Sequence, residues 1–229
     1  MNFSLKRSRN IVFEYAFGTT KLKYVDEIKD LGVIFTPTLN FSNHVNYIVN
    51  KAFRMLGFIN RVLKDFKDTT VLCTLFNAYV RSRLEYASCV WSPTQDYLST
   101  RIERVQKKFT RNLCYKSNID YKSFDYIDRC SFFNIQPLSS RRQISDLVYL
   151  HKIINYKVNC TYLVNEITLY TPARIMRQKP LFYVKARICA RKGSFLPRVL
   201  TIANMNERID VFHFTSPYAF KRQIRQYFI

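Results

Sequence analysis

The sequence predicts a mostly α-helical fold in three parts: short N-terminal strands with a β-hairpin, a central helical bundle, and a basic C-terminal region of helices with some strand. Three observations support this class. Apolar residues recur at helical spacing over most of the chain beyond position 41. Hydrophobic residues make up 48% of the 229 positions, which is enough to bury a core and too much for a disordered chain. With only 4 glycines and 7 prolines, the chain contains no low-complexity linker.

We predict short strands within residues 1–40. Residues 11–15, 22–25 and 31–35 are short runs rich in β-branched and aromatic side chains, and a glycine–threonine turn separates the first two. Because an isolated hairpin is only marginally stable, we expect these strands to pack against other elements.

The sequence of residues 41–116 predicts a bundle of three helices. The first covers residues 42–66 and the third covers residues 97–115, each with an apolar stripe along one side. The second begins at Asp68 and ends near Pro93, because the residue before a proline disfavours the α conformation.

Residues 117–229 form the basic C-terminal region, for which the sequence predicts helices with some strand. Its helices are predicted over residues 120–133, 137–155, 162–167 and 217–228. No acidic residue occurs between positions 167 and 206. Along residues 181–188 apolar and polar side chains alternate, which suggests a strand or hairpin. Arg141 and Arg142 lie early in a predicted helix, where the helix dipole disfavours cations, so we expect them to serve an external partner.

Charge is the strongest bulk signal. The chain carries 37 Lys and Arg against 16 Asp and Glu, a formal net charge of +21, and its pI is about 9.9. A field of this size attracts polyanions, and nucleic-acid backbones are the commonest polyanions in a cell. The sequence therefore predicts nucleic acid as the partner; the alternative is a protein that is merely basic.

The candidate nucleic-acid-binding residues lie on the outer sides of the first and third bundle helices. They are Lys51, Arg54, Arg61, Lys64, Arg101, Arg104, Lys107, Lys108 and Arg111. In the third helix a single acid, Glu103, accompanies them, whereas a solvated helix face normally mixes both charges. We therefore expect these cations to face a negatively charged partner rather than each other; the alternative is an ordinary basic surface.

The sequence predicts no catalytic, metal or cofactor site in this chain. Its 3 histidines and 6 cysteines follow no ligand spacing, and its acids form no paired-carboxylate motif for two metal ions. The cysteines stand among apolar residues, as buried reduced thiols do. The sequence shows no signal peptide and no stretch of eighteen apolar residues, which predicts an intracellular protein without membrane contact, in nucleus or cytoplasm.

An ordered series of short motifs resembles one known family. The motifs are Lys29-Asp30-Leu31-Gly32-Val33-Ile34-Phe35, Met55-Leu56-Gly57-Phe58-Ile59, Leu84-Glu85-Tyr86-Ala87, Val90-Trp91-Ser92-Pro93, Arg101-Ile102-Glu103 and Val105-Gln106-Lys107-Lys108-Phe109. Together they resemble the region just downstream of the catalytic palm in the reverse transcriptase of jockey-like non-LTR retrotransposons. The resemblance is strongest over residues 24–113 and continues more weakly beyond them, while residues 1–7 resemble the last palm motif.

The resemblance implies a role for each part. Residues 1–40 would be palm-edge strands, residues 41–116 a thumb-like helical bundle, and residues 117–229 the region after the thumb. The partner would be an RNA–DNA template–primer duplex, read by shape and phosphate contacts. The primer-grip-like hairpin would consist of Leu31, Gly32 and Val33, where glycine lets a backbone approach closely. The alternative for these three residues is an ordinary tight turn packed on the core.

The same resemblance implies what the chain would lack. The fingers, the Mg²⁺-binding aspartates of the intact family enzyme and its endonuclease have no counterpart in this sequence. We therefore expect a fragment of an RNA-directed DNA polymerase that binds template–primer but has no catalytic residue or cofactor of its own. The alternatives are a basic helical interaction module, a non-functional transposon relic, and an enzyme in its own right, which would need carboxylates that the sequence does not show.

Overall fold

The structure is a computed structural model, and it describes residues 1, 3, 14–120, 122–170, 181–184, 193–206, 208–213 and 216–228. Helices dominate, which confirms the mostly α-helical class. The helices are α1 (Ser42–Val62), α2 (Thr69–Leu75), α3 (Ser82–Glu85), α4 (Ser88–Trp91), α5 (Asp96–Lys116), α6 (Tyr126–Phe132), α7 (Leu138–Ile154), α8 (Thr161–Asn165), α9 (Phe195–Met205) and α10 (Pro217–Arg225). A π-helical segment, Phe76–Arg81, joins α2 to α3, and a 3₁₀ turn, Gln226–Phe228, follows α10.

The described strands form three antiparallel pairs. They are β1 (Ala16–Phe17) with β2 (Thr20–Lys21), β3 (Ile28–Asp30) with β4 (Val33–Phe35), and β5 (Thr168–Leu169) with β6 (Phe182–Tyr183). The predicted strand over residues 22–25 is wrong: these residues form no strand, although the Leu22 N–H donates to the Tyr15 carbonyl at 2.8 Å beside the β1–β2 pair. Of the predicted strand over residues 11–15, Glu14 and Tyr15 are not in a strand and the rest lies outside the described residues. Of the predicted strand over 181–188, Phe182–Tyr183 forms β6 and residues 185–188 lie outside the described residues.

The long amphipathic helices form as predicted, and the one between them is interrupted. Helix α1 ends four residues before the predicted end, and α5 exceeds its predicted range by one residue at each end. The predicted continuous helix from Asp68 to about Pro93 is wrong: Ala87 adopts a left-handed conformation (φ 52°) between α3 and α4. Trp91 is fully buried, and its Nε1 donates to the Tyr86 carbonyl at 2.7 Å across this break.

Helices α1 and α5 run side by side in the same direction. At their N-terminal ends the Ser42 and Tyr97 hydroxyls are 3.2 Å apart. At their C-terminal ends the Lys116 Nζ donates to the carbonyls of Leu63 at 2.6 Å, Lys64 at 3.0 Å and Phe66 at 2.7 Å. Both helices have 21 residues, so the pair presents two parallel ridges of about 31 Å each.

The buried apolar side chains form two clusters that share one helix. The first unites the inner sides of α1, α2, α5 and the π-helical segment, where the rings of Phe76 and Phe109 stack at 3.9 Å. The second unites α7, α9 and α10. Helix α7 contributes Leu138 to the first cluster and Ile144 to the second. The proposed division at residues 40 and 116 stays a prediction.

A buried arginine ties the two clusters together. The Arg198 guanidinium, on α9, donates to the Asp146 carboxylate of α7 at 2.8 Å and 3.3 Å. It also donates to the carbonyls of Cys89 at 2.9 Å and Ser92 at 3.2 Å, in and after α4. Arg198, which the sequence placed in an acid-free basic stretch, is therefore a structural residue. The other cations of that stretch lie outside the described residues.

The only acid among the α5 cations, Glu103, is turned inward. Its side chain is buried and accepts hydrogen bonds from the backbone N–H groups of Leu138 at 2.9 Å and Ser139 at 3.2 Å. It also accepts from the Tyr126 hydroxyl. One carboxylate thus satisfies free N–H groups at the start of α7, where a negative charge also opposes the helix dipole favourably, and connects α5 to α6.

The two arginines at the start of α7 are held by partners within the chain, and for the buried Arg142 the prediction of an external partner is wrong. Arg141 forms a two-bond pair with Glu85 of α3, in which Nη2 donates to Oε2 at 2.9 Å. Arg142 is buried, and its Nη2 donates to the Ser99 hydroxyl at 3.0 Å. The cost of placing cations near the positive end of a helix dipole is offset because Glu103 and Glu85 lie beside them.

The strand pair β3–β4 is attached to α1 through a neutral histidine. The His44 Nδ1 accepts from the Ile34 N–H at 3.3 Å, and the imidazole ring packs edge-on against Trp91 at 5.2 Å. Burial, and then the charge of Lys29, lower the pKa of His44 to about 4.

Replacing Glu103 by Gln should destabilise the protein. The amide places an N–H₂ group opposite one of the two backbone N–H donors of α7 and removes the charge, so we expect a loss of about 1.5–3 kcal/mol in the free energy of unfolding. Urea unfolding followed by circular dichroism measures it. The exposed carboxylate of Asp65 gives the control: Asp65→Asn should change stability by less than about 0.5 kcal/mol. Equal effects of the two substitutions would contradict the assigned role.

Lowering the pH should weaken the protein through His44. The unfolded chain takes up a proton near pH 6.5, whereas the folded chain keeps His44 neutral down to about pH 4. Between these values the unfolded state binds more protons, so the free energy of unfolding falls as the pH falls, by up to about 1.4 kcal/mol per unit. His44→Asn, which keeps an acceptor but does not titrate, should flatten this dependence in urea unfolding series at pH 5 to 7. An unchanged slope would show that His44 is not responsible.

Candidate nucleic-acid interface

The predicted cations of α1 lie on its solvent side. Lys51, Arg54, Arg61 and, just beyond the helix end, Lys64 are exposed, while the core residues occupy the opposite side. Phe58, on the same side as these cations, leaves 54% of its surface exposed. Within the part of the chain that the structure describes, none of the four cations forms an ion pair.

The cations of α5 are arranged in the same way, with one exception. Arg101, Arg104, Lys108 and Arg111 are exposed, and among the described residues they have no ion-pair partner. Lys107 is half-buried, and its Nζ lies 5.1 Å from the centre of the Tyr126 ring. Lys107 therefore faces α6 and is the weakest member of the predicted set.

The two cationic stripes belong to one surface. Lys108 of α5 extends over α1, with its Nζ 5.8 Å from the centre of the Phe53 ring. Because the helices are parallel and in contact at both ends, their outer sides lie next to each other along the whole length. We call the outer sides of α1 and α5, with the exposed cations at 51, 54, 61, 64, 101, 104, 108 and 111, the cationic surface.

The inward turn of Glu103 gives this surface its uniform sign. In a helix whose surface carries both charges, a cation pairs with an acid that lies four residues away on the same side. Here the only acid within the cationic stretch of α5 is buried against α7, and the first acid of that helix, Asp96, precedes the stripe. Unpaired cations attract polyanions most strongly, since no neighbouring carboxylate offsets their field.

The hairpin predicted to be primer-grip-like has an exposed tip. Leu31 and Gly32 are the two turn residues between β3 and β4, with φ of 44° and 86°, as a two-residue turn of the primed type requires. Leu31 is 83% exposed, although leucine rarely adopts a positive φ. The Tyr86 hydroxyl donates to the Leu31 carbonyl at 3.0 Å, which holds the tip against the break between α3 and α4.

Val33 does not belong to the exposed tip. Its side chain is 3% exposed and is part of the first core cluster. The Val33 side chain therefore anchors the hairpin in the core, while Leu31 at the tip is exposed. The role of Leu31, Gly32 and Val33 as a primer-grip-like hairpin stays a prediction.

A tyrosine joins the hairpin to the cationic surface. The Lys29 Nζ of β3 donates to the Tyr47 hydroxyl of α1 at 2.9 Å, and the Lys51 Nζ lies 4.5 Å from the centre of the same ring. The hydrogen bond from Lys29, followed by that from Lys51, lowers the pKa of Tyr47 to about 8. The hairpin and the cations of α1 therefore lie on one continuous surface. A long ligand would require such continuity.

The sequence analysis missed the aromatic residues of this surface. Those on the outer sides of the two helices are Tyr47, Phe58, Tyr97 and Tyr115. Each stands four residues from a predicted cation, at 51, 54, 101 and 111, so helical spacing alone would have identified them. Aromatic side chains beside cations suit nucleic acid, because bases and sugars pack on rings while phosphates meet the charges.

The described residues show no clustered metal ligands and no disulfide. Among them, no group of three or more His, Cys, Asp and Glu side chains is placed to hold a metal ion. The cysteines that the structure describes are free thiols, and burial raises the pKa of Cys89 to about 11. None of the described helices is long and apolar enough to cross a lipid bilayer.

Comparisons with known proteins give distant relatives only. No family model and no solved structure matches the chain. An uncharacterized protein of Caenorhabditis elegans is 26% identical over 135 residues, which is 59% of this chain and 67% of that protein. A type III pantothenate kinase of Mycoplasmopsis synoviae is 25% identical over 161 residues, 70% of this chain and 54% of the kinase. The chain thus spans about half of the kinase, and neither relative is described as a reverse transcriptase.

Proposed function

We propose that this chain binds a nucleic-acid duplex along the cationic surface, as the palm-edge, thumb and C-terminal portion of a non-LTR retrotransposon reverse transcriptase. The observation that carries the proposal is the pair of parallel helices whose outer sides bear exposed cations that form no ion pair among the described residues. A surface of this kind contacts phosphates and does not read base edges, which suits an RNA–DNA template–primer.

The dimensions of the surface support a duplex as the ligand. A 21-residue helix is about 31 Å long, comparable to one turn of a nucleic-acid double helix. Two such ridges side by side can follow a backbone over several phosphates. In this proposal the tip at Leu31 and Gly32 lies beside the duplex end, where a polymerase holds the primer, and Tyr47 and Lys29 connect the tip to the surface.

The proposal assigns the chemistry to other parts of an intact polymerase. Polymerisation requires Mg²⁺ held by palm carboxylates, and the proposed function of this chain is to hold the template–primer for them. An intracellular location belongs to the same proposal, since a retrotransposon is copied inside the cell. The basic interaction module stays a rival reading of the surface, and the experiment below separates the two.

Reversing two exposed arginines of α5 should weaken duplex binding and its salt dependence. We expect Arg104→Glu with Arg111→Glu to reduce the affinity for an RNA–DNA duplex by tenfold or more at low salt, because two phosphate contacts are lost and repulsion is added. The slope of log K against log salt should fall by roughly two. Fluorescence anisotropy with a labelled hybrid duplex measures both quantities.

The matched control carries the same charge change elsewhere. Lys157→Glu with Arg208→Glu places two reversals at exposed positions near the C-terminal cluster, so the net charge is identical. This variant should keep most of the affinity. If both variants lose affinity equally, the binding depends on net charge and the proposed surface is refuted. If heparin competes as well as the duplex does at equal charge, the interaction-module reading is favoured.

A further inference from the structure

A second cationic site lies away from the cationic surface, around a single carboxylate. Four cations from three parts of the chain surround Glu85: Arg81 at the end of the π-helical segment, Arg141 of α7, and Lys221 and Arg225 of α10. Arg141 forms the two-bond pair with Glu85, and the Arg81 Nε is 4.0 Å from Glu85 Oε2. Lys221 and Arg225 make no hydrogen bond or ion pair with any described residue.

The four cations influence each other's charge. Burial, and then the charges of Arg141 and Arg225, lower the pKa of Arg81, while Glu85 opposes this. Burial, and then the charges of Arg225 and Arg141, lower the pKa of Lys221. One carboxylate cannot neutralise four cations, so the cluster keeps an excess of positive charge, with Arg81, Arg141 and Lys221 half-buried and Arg225 exposed. Such an arrangement costs stability unless an anion compensates it.

These side chains line an open cleft of ligand size. The cleft has a volume of about 770 Å³ and is bounded by Arg81, Arg141 and Arg225, by the polar side chains of Ser131 and Ser140, and by Phe228. A smaller recess of about 60 Å³, which also contains Lys221, adjoins it behind Arg141 and Arg225. Volumes of 300–1,000 Å³ are typical of small-molecule sites.

The geometry of Arg81 follows from an unusual backbone. The six-residue π-helical segment, in which the Ser82 N–H bonds to the Asn77 carbonyl, ends at Arg81. Such segments are rare and often occur at functional sites, because the extra residue per turn redirects side chains. Here the segment brings Arg81 and Glu85 to the same side as α7 and α10.

We propose that this cleft binds a phosphate group carrying two or more negative charges, held by Arg81, Arg141 and Arg225, with Lys221 of the smaller recess adding positive charge. Guanidinium groups match phosphate oxygens with paired hydrogen bonds, and the serine hydroxyls of the cleft can supply further donors. Glu85 keeps Arg81 and Arg141 in place in the free protein. The phosphate is either the terminal group of a nucleic-acid strand or part of a free phosphate compound. The site is separate from the cationic surface, so it does not depend on the function proposed above.

Pyrophosphate is a suitable probe, and Arg225 is the residue to change. Isothermal titration of the full chain at low salt should detect saturable pyrophosphate binding. Arg225→Gln removes a cation that makes no described hydrogen bond, so the fold should be retained and the dissociation constant should rise by tenfold or more. Lys221→Gln should act in the same direction. Arg222→Gln is the matched control, since Arg222 lies exposed on the same helix and does not line the cleft; it should change the constant by less than twofold.

Two single-stranded oligonucleotides distinguish the sources of the phosphate. If the cleft takes a strand end, a 5′-phosphorylated oligonucleotide should bind more tightly than its 5′-hydroxyl form, and Arg225→Gln should abolish the difference. If it takes a free compound, the two oligonucleotides bind alike while pyrophosphate binding still depends on Arg225. The proposal is overturned if pyrophosphate does not bind, or if Arg225→Gln and Arg222→Gln weaken its binding equally.

Discussion

The buried carboxylate of Glu103 determines both how the helices assemble and how the protein presents its charge. It accepts hydrogen bonds from two backbone N–H groups at the start of α7 and from the Tyr126 hydroxyl. It therefore connects α5, α6 and α7 at one point. A buried charge is tolerated only where such hydrogen bonds replace water. Because this acid is used inside, the stretch of α5 from Arg101 to Arg111 exposes cations and no acid. Folding and the candidate interface thus depend on one side chain.

Much of the helical architecture follows from local sequence signals, and the exceptions have physical causes. The apolar stripes predicted α1 and α5 closely because burial along one side fixes long amphipathic helices. The break at Ala87 has no signal in the helical pattern: alanine favours helices, and the bend is held by the hydrogen bond from the Trp91 side chain to the Tyr86 carbonyl, which the apolar spacing does not reveal. The late start of α6 follows from the reciprocal capping of Asp125 and Asp128.

The sequence predicted which cations the candidate site contains, but it did not predict which arginines pair within the chain. Exposed Arg104 and Arg111 could be placed by helical periodicity. Arg141, Arg142 and Arg198 have the same residue type and a similar basic neighbourhood, yet each is held by a partner within the chain. Their partners Glu85, Ser99 and Asp146 are 43 to 56 residues away along the chain. Sequence periodicity carries no information on such distant partners. For the same reason the cluster around Glu85 could not be predicted from the sequence.

The central claim is that the outer sides of α1 and α5 contact nucleic acid, and ultraviolet cross-linking tests it most directly. An RNA–DNA hybrid bound to the full chain would be cross-linked, and the modified peptides would be identified by mass spectrometry. The account predicts cross-links at the aromatic residues beside the cations, Tyr47, Phe58 and Tyr97. Cross-links confined to α7, α9 or α10 would contradict it.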